Sequence, residues 1–407
     1  MPHFRRPDRP AVAAAGITAA AGTAGTVGTA GAAGPAAGAA LAGAVALAVA
    51  LGLAFGAAPP AAAAQAGTAV PSAAAPAPAA PPPPASPAPA GYHLLKTIAV
   101  GGDGGWDYLA LDSAARRLYV TRSTRVTVLD PDTGKVVGEI PNLSGVHGVA
   151  LAADLGRGFI SNGRSDKVTV FDLKTLKVLS ELKSTGQNPD AILYDPATHR
   201  VFAFNGRSGN ATVFEGASGK VAATIPLGGK PEFAASDRKG SVFVNIEDKN
   251  EVVALDAVKL TISGRWPLAG CDEPSGMAID AAHRRLISGC GNETAAIVDT
   301  AAGRLLTTLP ICKGVDANGF DPGPALAFAS CGDGNLTVIH EDSPDKWTVV
   351  GKAATRQGAR TMAVDEKTHA VYLATADFGP RPAPTAAEPH PRAPILPGSF
   401  VILVVSP

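Results

Sequence analysis

From Tyr92 onward, apolar residues fall in short runs with a period of two, the spacing that sets alternate side chains on one face of a strand. Val126 and Val128 lie in one such run, and Val136 begins the next. A larger repeat organises the runs. The stretch DYLALDSAARRLYVTRSTRVTVLDPDTGKVVGEI from Asp107 matches DAILYDPATHRVFAFNGRSGNATVFEGASGKVAATI from Asp190 in pattern. The shared unit is an apolar strand, a turn ending in Arg, an aromatic-rich strand, a Val-rich strand, a Thr-Gly-Lys-type turn and a fourth strand. Gly134, Gly219 and Gly303 fall in that last turn, where a tight hairpin needs positive φ.

Equivalent first-strand positions are Asp107, His147, Asp190, Glu232, Ser275, Asp316 and Arg360, spaced 40 to 44 residues apart. Four strands at this period, starting seven times, predict an all-β, seven-bladed β-propeller with one antiparallel four-stranded sheet per blade. A β-helix would repeat at a much shorter period. The last unit stops at its third strand, Phe400 to Val405. Leu94 to Ile98 matches the fourth strand Val136 to Ile140, so the N-terminal strand is expected to complete the last blade and remove the open edges. The propeller domain is read as residues 92–407.

Composition changes the picture before that point. From Ala11 to Gly91 no residue is charged, and Ala, Gly and Pro dominate. Arg5, Arg6 and Arg9 precede a long Ala/Gly stretch, Leu41 to Ala57 is continuously apolar, and small residues follow at Ala61 to Ala66. That order is the order of a secretory signal, so residues 1–66 are read as a signal peptide. An uncleaved membrane anchor is the other reading, since the apolar run approaches the length of a span. Either one exports the rest of the chain to the periplasm or beyond the cell. Residues 67–91 form a Pro/Ala-rich linker that prefers extended conformations and cannot bury a core. The formal net charge of the chain is zero, which gives no general electrostatic reason to bind nucleic acid or anionic membrane.

The second strand of each unit carries a further signature: Tyr119-Val120-Thr121-Arg122, Phe159-Ile160-Ser161-Asn162, Phe202-Ala203-Phe204-Asn205 and, in the last unit, Tyr372-Leu373-Ala374-Thr375. This resembles the YncE-like, YVTN-repeat propellers, and the resemblance covers residues 92–407. It implies a seven-bladed propeller outside the cytoplasm. It implies no reaction, because the fold hosts many functions.

Four cysteines occupy matched positions. Cys271 and Cys290 are 19 residues apart, as are Cys312 and Cys331. Cys290 and Cys331 stand where the signature has Asn, and Cys271 and Cys312 lie four residues before Ser275 and Asp316. The start of strand one and the end of strand two share one end of a blade, so Cys271–Cys290 and Cys312–Cys331 disulfides fit that geometry, and export supplies the oxidising compartment. A Cys290–Cys312 bridge between blades is the rival pairing.

The seven aligned residues should ring one mouth of the central channel. Asp107, Asp190, Glu232 and Asp316 are carboxylates, His147 and Arg360 are basic and Ser275 is neutral. Crowded carboxylates raise one another's pKa unless a cation neutralises them. Two readings follow. The ring binds a divalent cation such as calcium or magnesium, or a cationic small molecule; or the polar side chains bond backbone of the next blade and Arg360 pairs with a neighbouring acid. The long insertion between Ala376 and Gly398 should emerge at the same face, either as a binding element or as a plain surface loop. Trp106, beside Asp107, has two readings, ligand contact and core or rim packing, with packing the default.

Other signals are ordinary. His199, His283 and His369 recur in the turn between strands one and two and are read as turn residues. No His-Glu-x-x-His, Gly-x-Ser-x-Gly or Walker-type loop occurs. Two function classes remain: a non-enzymatic module that binds a protein or small molecule, or a hydrolase, lyase or dehydrogenase using the acidic mouth with a cation or cofactor. The missing catalytic signature favours the first.

Overall fold

The computed structural model describes residues 91–407 except 386–388 and 390. The signal or anchor expected over 1–66 and the linker from residue 67 to residue 90 lie outside the described residues. The rest forms seven four-stranded antiparallel sheets. The innermost strands are Leu109–Asp112, Val146–Ala152, Pro189–Asp195, Pro231–Ser236, Pro274–Asp280, Val315–Asp321 and Met362–Asp365. Each packs beside the next, and the first packs beside the last, so the sheets close into a ring.

The closure follows the repeat. Blade seven runs outward from Met362–Asp365 through Ala370–Thr375 and Val401–Ser406 to His93–Ala99. The N-terminal strand pairs antiparallel with the last one, from His93 opposite Ser406 to Ala99 opposite Val401. Seven apolar clusters fill the seams, one between each pair of neighbouring blades. Second and third strands have a neighbouring blade on both faces, so both faces are apolar and the aromatic-rich second strand is buried from Leu118 to Arg122 and from Phe202 to Asn205. The fourth strands face solvent, leaving Val136, Val137, Val178 and Leu179 exposed.

Polar residues of the repeat fasten the seams. The Arg that opens the second strand reaches the hairpin between strands three and four of the next blade. Arg117 donates to the Leu173 carbonyl, Arg200 to that of Ala257 at 2.7 Å and Arg285 to that of Pro344 at 2.8 Å. At the closing seam Arg116 pairs with the buried Asp365 at 2.6 Å, and Ser113 donates to the same carboxylate at 2.8 Å. Gly134, Gly219 and Gly303 have φ of 73°, 70° and 65°, as their hairpins require.

The turn histidines prove not to be equivalent. His199 and His369 hold the left-handed position of the turn, with φ of 55° and 61°. In blade five that position belongs to Arg284, with φ of 60°, and His283 stands one residue earlier. The three turns are equal in length, five residues from Asp280 to Arg285 as from Asp195 to Arg200, so His283 aligns with Thr198 and Thr368 rather than with the other two histidines.

Candidate functional site

The seven ring residues come together at one mouth, each at or just before the start of an innermost strand. His147, Asp190, Glu232, Ser275 and Asp316 are the second residues of their strands, while Asp107 and Arg360 precede the two shortest ones. The third residue of the signature holds this register. Ser161 donates to the Asp190 carbonyl, Asn245 to that of Ser275 and Ser330 to that of Arg360, each in the following blade. The signature therefore fastens the backbone of the ring.

The carboxylates are matched by basic groups around the mouth. His147 Nδ1 lies 2.6 Å from Asp107 Oδ2 and 3.3 Å from Asp190 Oδ1. Arg360 Nε lies 3.0 Å from Asp316 Oδ2, and Ser275 donates to Asp316 Oδ1 at 3.2 Å. Lys230 Nζ lies 2.6 Å from Glu232 Oε1 and also pairs with Glu247. Lys230 was missed in the sequence because it is not at an aligned ring position; its place two residues before Glu232 was the available signal. The acid-rich ring is thus partly neutralised in separate pairs. Arg360 pairs with a neighbouring acid, one of the two expectations for it.

Two further residues decide the shape of the mouth. Tyr108 of blade one and Phe233 of blade four each follow a ring residue directly. These blades face each other across the axis, and the two rings stack with centroids 4.2 Å apart and planes 26° apart. The stack bars the axis just behind the ring, so the mouth is a cup with an aromatic floor. Burial, then Asp190, Asp107, Glu232 and Asp316, hold the Tyr108 hydroxyl well above the usual phenol range. It stays a protonated hydrogen-bond donor.

The rim is fastened covalently in blades five and six. Cys271–Cys290 and Cys312–Cys331 are both disulfides, with Cα separations of 5.3 and 5.7 Å, and the rival Cys290–Cys312 pairing is not formed. In blade three the signature Asn205 does this work non-covalently: Ser184, in the segment leading to the innermost strand, donates to its Oδ1 at 2.7 Å. The disulfides make the same link in blades five and six.

The insertion between Ala376 and Gly398 is anchored at its base. Phe378 bridges to Ile395, Leu396 donates to the Asp377 carbonyl at 2.8 Å, and Arg356 pairs with Asp377. The Phe378 ring lies 6.1 Å from Trp106, which packs in turn 5.3 Å from Phe400. Trp106 is a packing residue that joins the loop base to the rim beside Asp107. Arg122, at the signature's fourth position, is fully buried over the Phe400 ring and donates to the carbonyls of Gly101 to Gly104.

No protein-family model matches the chain, and no curated protein matches it in sequence. Solved structures do resemble it. The structure of U3-55K aligns with a TM-score of 0.62 at 9% identity, over 78% of this chain and 99% of that one. The RRP9 WD40 repeats align with a TM-score of 0.63 at 9% identity, over 78% and 98%. The hydrazine synthase of Kuenenia stuttgartiensis aligns with a TM-score of 0.56 at 15% identity, over 66% and 92%. At these identities the likeness is one of fold: a seven-bladed, WD40-like β-propeller.

Proposed function

We propose that the protein is an exported, YncE-like propeller acting as a non-enzymatic binding module. Its acidic mouth receives a cationic group, carried by a small molecule or by a basic side chain of a partner protein. The observation that carries this reading is the Tyr108–Phe233 stack directly behind the ring. A mouth that ends on an aromatic floor is a cup for one group rather than a passage. Its wall holds Asp107, Asp190, Glu232 and Asp316, and carboxylates beside an aromatic face suit an ammonium or guanidinium. Export is supported by the basic and apolar order of residues 1–66 and by the two disulfides. The four signature strands support the YncE-like assignment.

The test is native mass spectrometry of the protein taken from its exported fraction, beside the Asp107→Asn/Asp190→Asn/Asp316→Asn variant. A ligand or partner retained by the parent, released by added salt and absent from the variant supports the reading. Equal retention by both proteins removes it.

A further inference from the structure

At the end of the ring opposite the mouth, the seam between blades five and six holds Asp280, His283 and Glu341. Asp280 ends an innermost strand, His283 lies in the turn that follows, and Glu341 lies on the third strand of blade six, Asn335–Ser343. His283 Nδ1 is 2.6 Å from Asp280 Oδ2 and 3.0 Å from Glu341 Oε1, and the three donor atoms all lie within 4.8 Å of one another. Asp280 and Glu341 are 3% and 6% exposed. Apart from its contacts with His283 and Asp280, neither carboxylate oxygen of Glu341 has a hydrogen-bond partner among the described residues.

The repeat shows that Glu341 is out of place as a packing residue. The equivalent position, which donates its N–H back to the first turn of its own blade, is Leu173, Gly216, Ala257 and Thr300 in blades two to five. In the seam between blades two and three, Leu155 packs directly over Gly216. Only in blade six does a buried carboxylate fill this space, and there it meets Asp280 and the displaced His283. Two carboxylates removed from water need a compensating charge.

We propose that Asp280, His283 and Glu341 form a binding site for a divalent transition-metal ion of the zinc type. One imidazole nitrogen and two carboxylate oxygens are a common donor set for zinc, which binds each at about 2.0–2.2 Å. A tetrahedral ion at that distance spaces its donors about 3.3 Å apart, so the 2.6 and 3.0 Å separations open by a few tenths of an ångström on binding. Calcium and magnesium prefer all-oxygen shells, so the imidazole selects against them. Asp280 is pre-oriented, accepting the backbone N–H of Ala282 at 3.0 Å. The His283 side chain is about half exposed and provides the ion's route from solvent. The site would tie blade five to blade six at the end away from their disulfides.

The experiment uses the full, oxidised, untagged protein, stripped with chelator and dialysed against zinc. Elemental analysis should find one zinc per chain lost in both Glu341→Gln and His283→Ala, and retained in Asp107→Asn/Asp190→Asn. The Tm of the parent should rise with zinc. Loss of a direct ligand should weaken zinc by more than the roughly 10- to 100-fold typical of outer-shell changes. His283 is half exposed, so its variant keeps the fold if the Glu341 variant does not. No zinc in the parent, or the same zinc content in the parent and His283→Ala, overturns the proposal.

Discussion

Replacing Cys271 and Cys290 together by Ala should lower stability by about 3 kcal/mol. The bridge closes a loop of 19 residues in the unfolded chain, and loop-closure entropy for that length amounts to about 3 kcal/mol at 25 °C. Both cysteines are buried, at 1% and 0% exposure, and small cavities left by Ala add to the loss rather than offset it. Urea unfolding measures the difference. With a slope of about 3 kcal/mol per molar, at the upper end for smaller proteins, the midpoint should fall by about 1 M. The parent should also resist reductant while folded and match the variant only after reduction in urea. An unchanged midpoint, or four free thiols on non-reducing peptide mapping, would refute the reasoning. A fall much larger than 1 M would mean that the bridge also holds native packing at the mouth.

All five tyrosines of the chain, Tyr92, Tyr108, Tyr119, Tyr194 and Tyr372, are held above the usual phenol range, chiefly by burial. Absorbance at the phenolate band should therefore stay flat through about pH 10 and rise only with unfolding, the stabilisation being present below the unfolded value and lost above it. Burial works to raise the Asp365 carboxyl, but hydrogen bonds from Arg116, Thr368 and Ser113 outweigh it and hold the group below its ordinary range. Its contribution is then present above about pH 4 and lost as pH falls through the lower folded value, and Asp365→Asn should cost about 3 kcal/mol at neutral pH with a flatter acid limb in thermal melts. Phe233→Ala, which removes the floor of the mouth, should cost about 3 kcal/mol and weaken any retained cationic ligand, checked by urea unfolding and calorimetry. Joining Thr375 to Ser399 by a short Gly-Ser turn should leave the propeller folded by circular dichroism and change ligand affinity at the mouth.

The ring of blades was legible because each repeat writes its strands, turns and seams in the same order. The orphan strand at Leu94 to Ile98 could be assigned because a fourth strand was missing elsewhere. The cysteine pairing was legible for a related reason: antiparallel register brings the two ends into reach, and matched spacing occurs twice. The ring positions followed from alignment, but their charge balance did not, since Lys230 lies off the aligned column. The floor of the mouth escaped because a contact between Tyr108 and Phe233 crosses the axis, and repeat reasoning sees only neighbours. His283 escaped because a one-residue difference in a turn changes which way a side chain faces while hardly changing the pattern.

The pairing of His93–Ala99 with Val401–Ser406 also sets an order in time. The strand made first is the outermost strand of the blade made last, so it has no partner until nearly the whole chain has been synthesised. Bringing its two halves together spans the longest sequence separation in the fold, and that closure must precede the contacts that reward it. Closing the ring is therefore the longest-range pairing in the fold. Once closed, the C-terminal strand Val401–Ser406 lies between two partners, and the N-terminal strand is held against it.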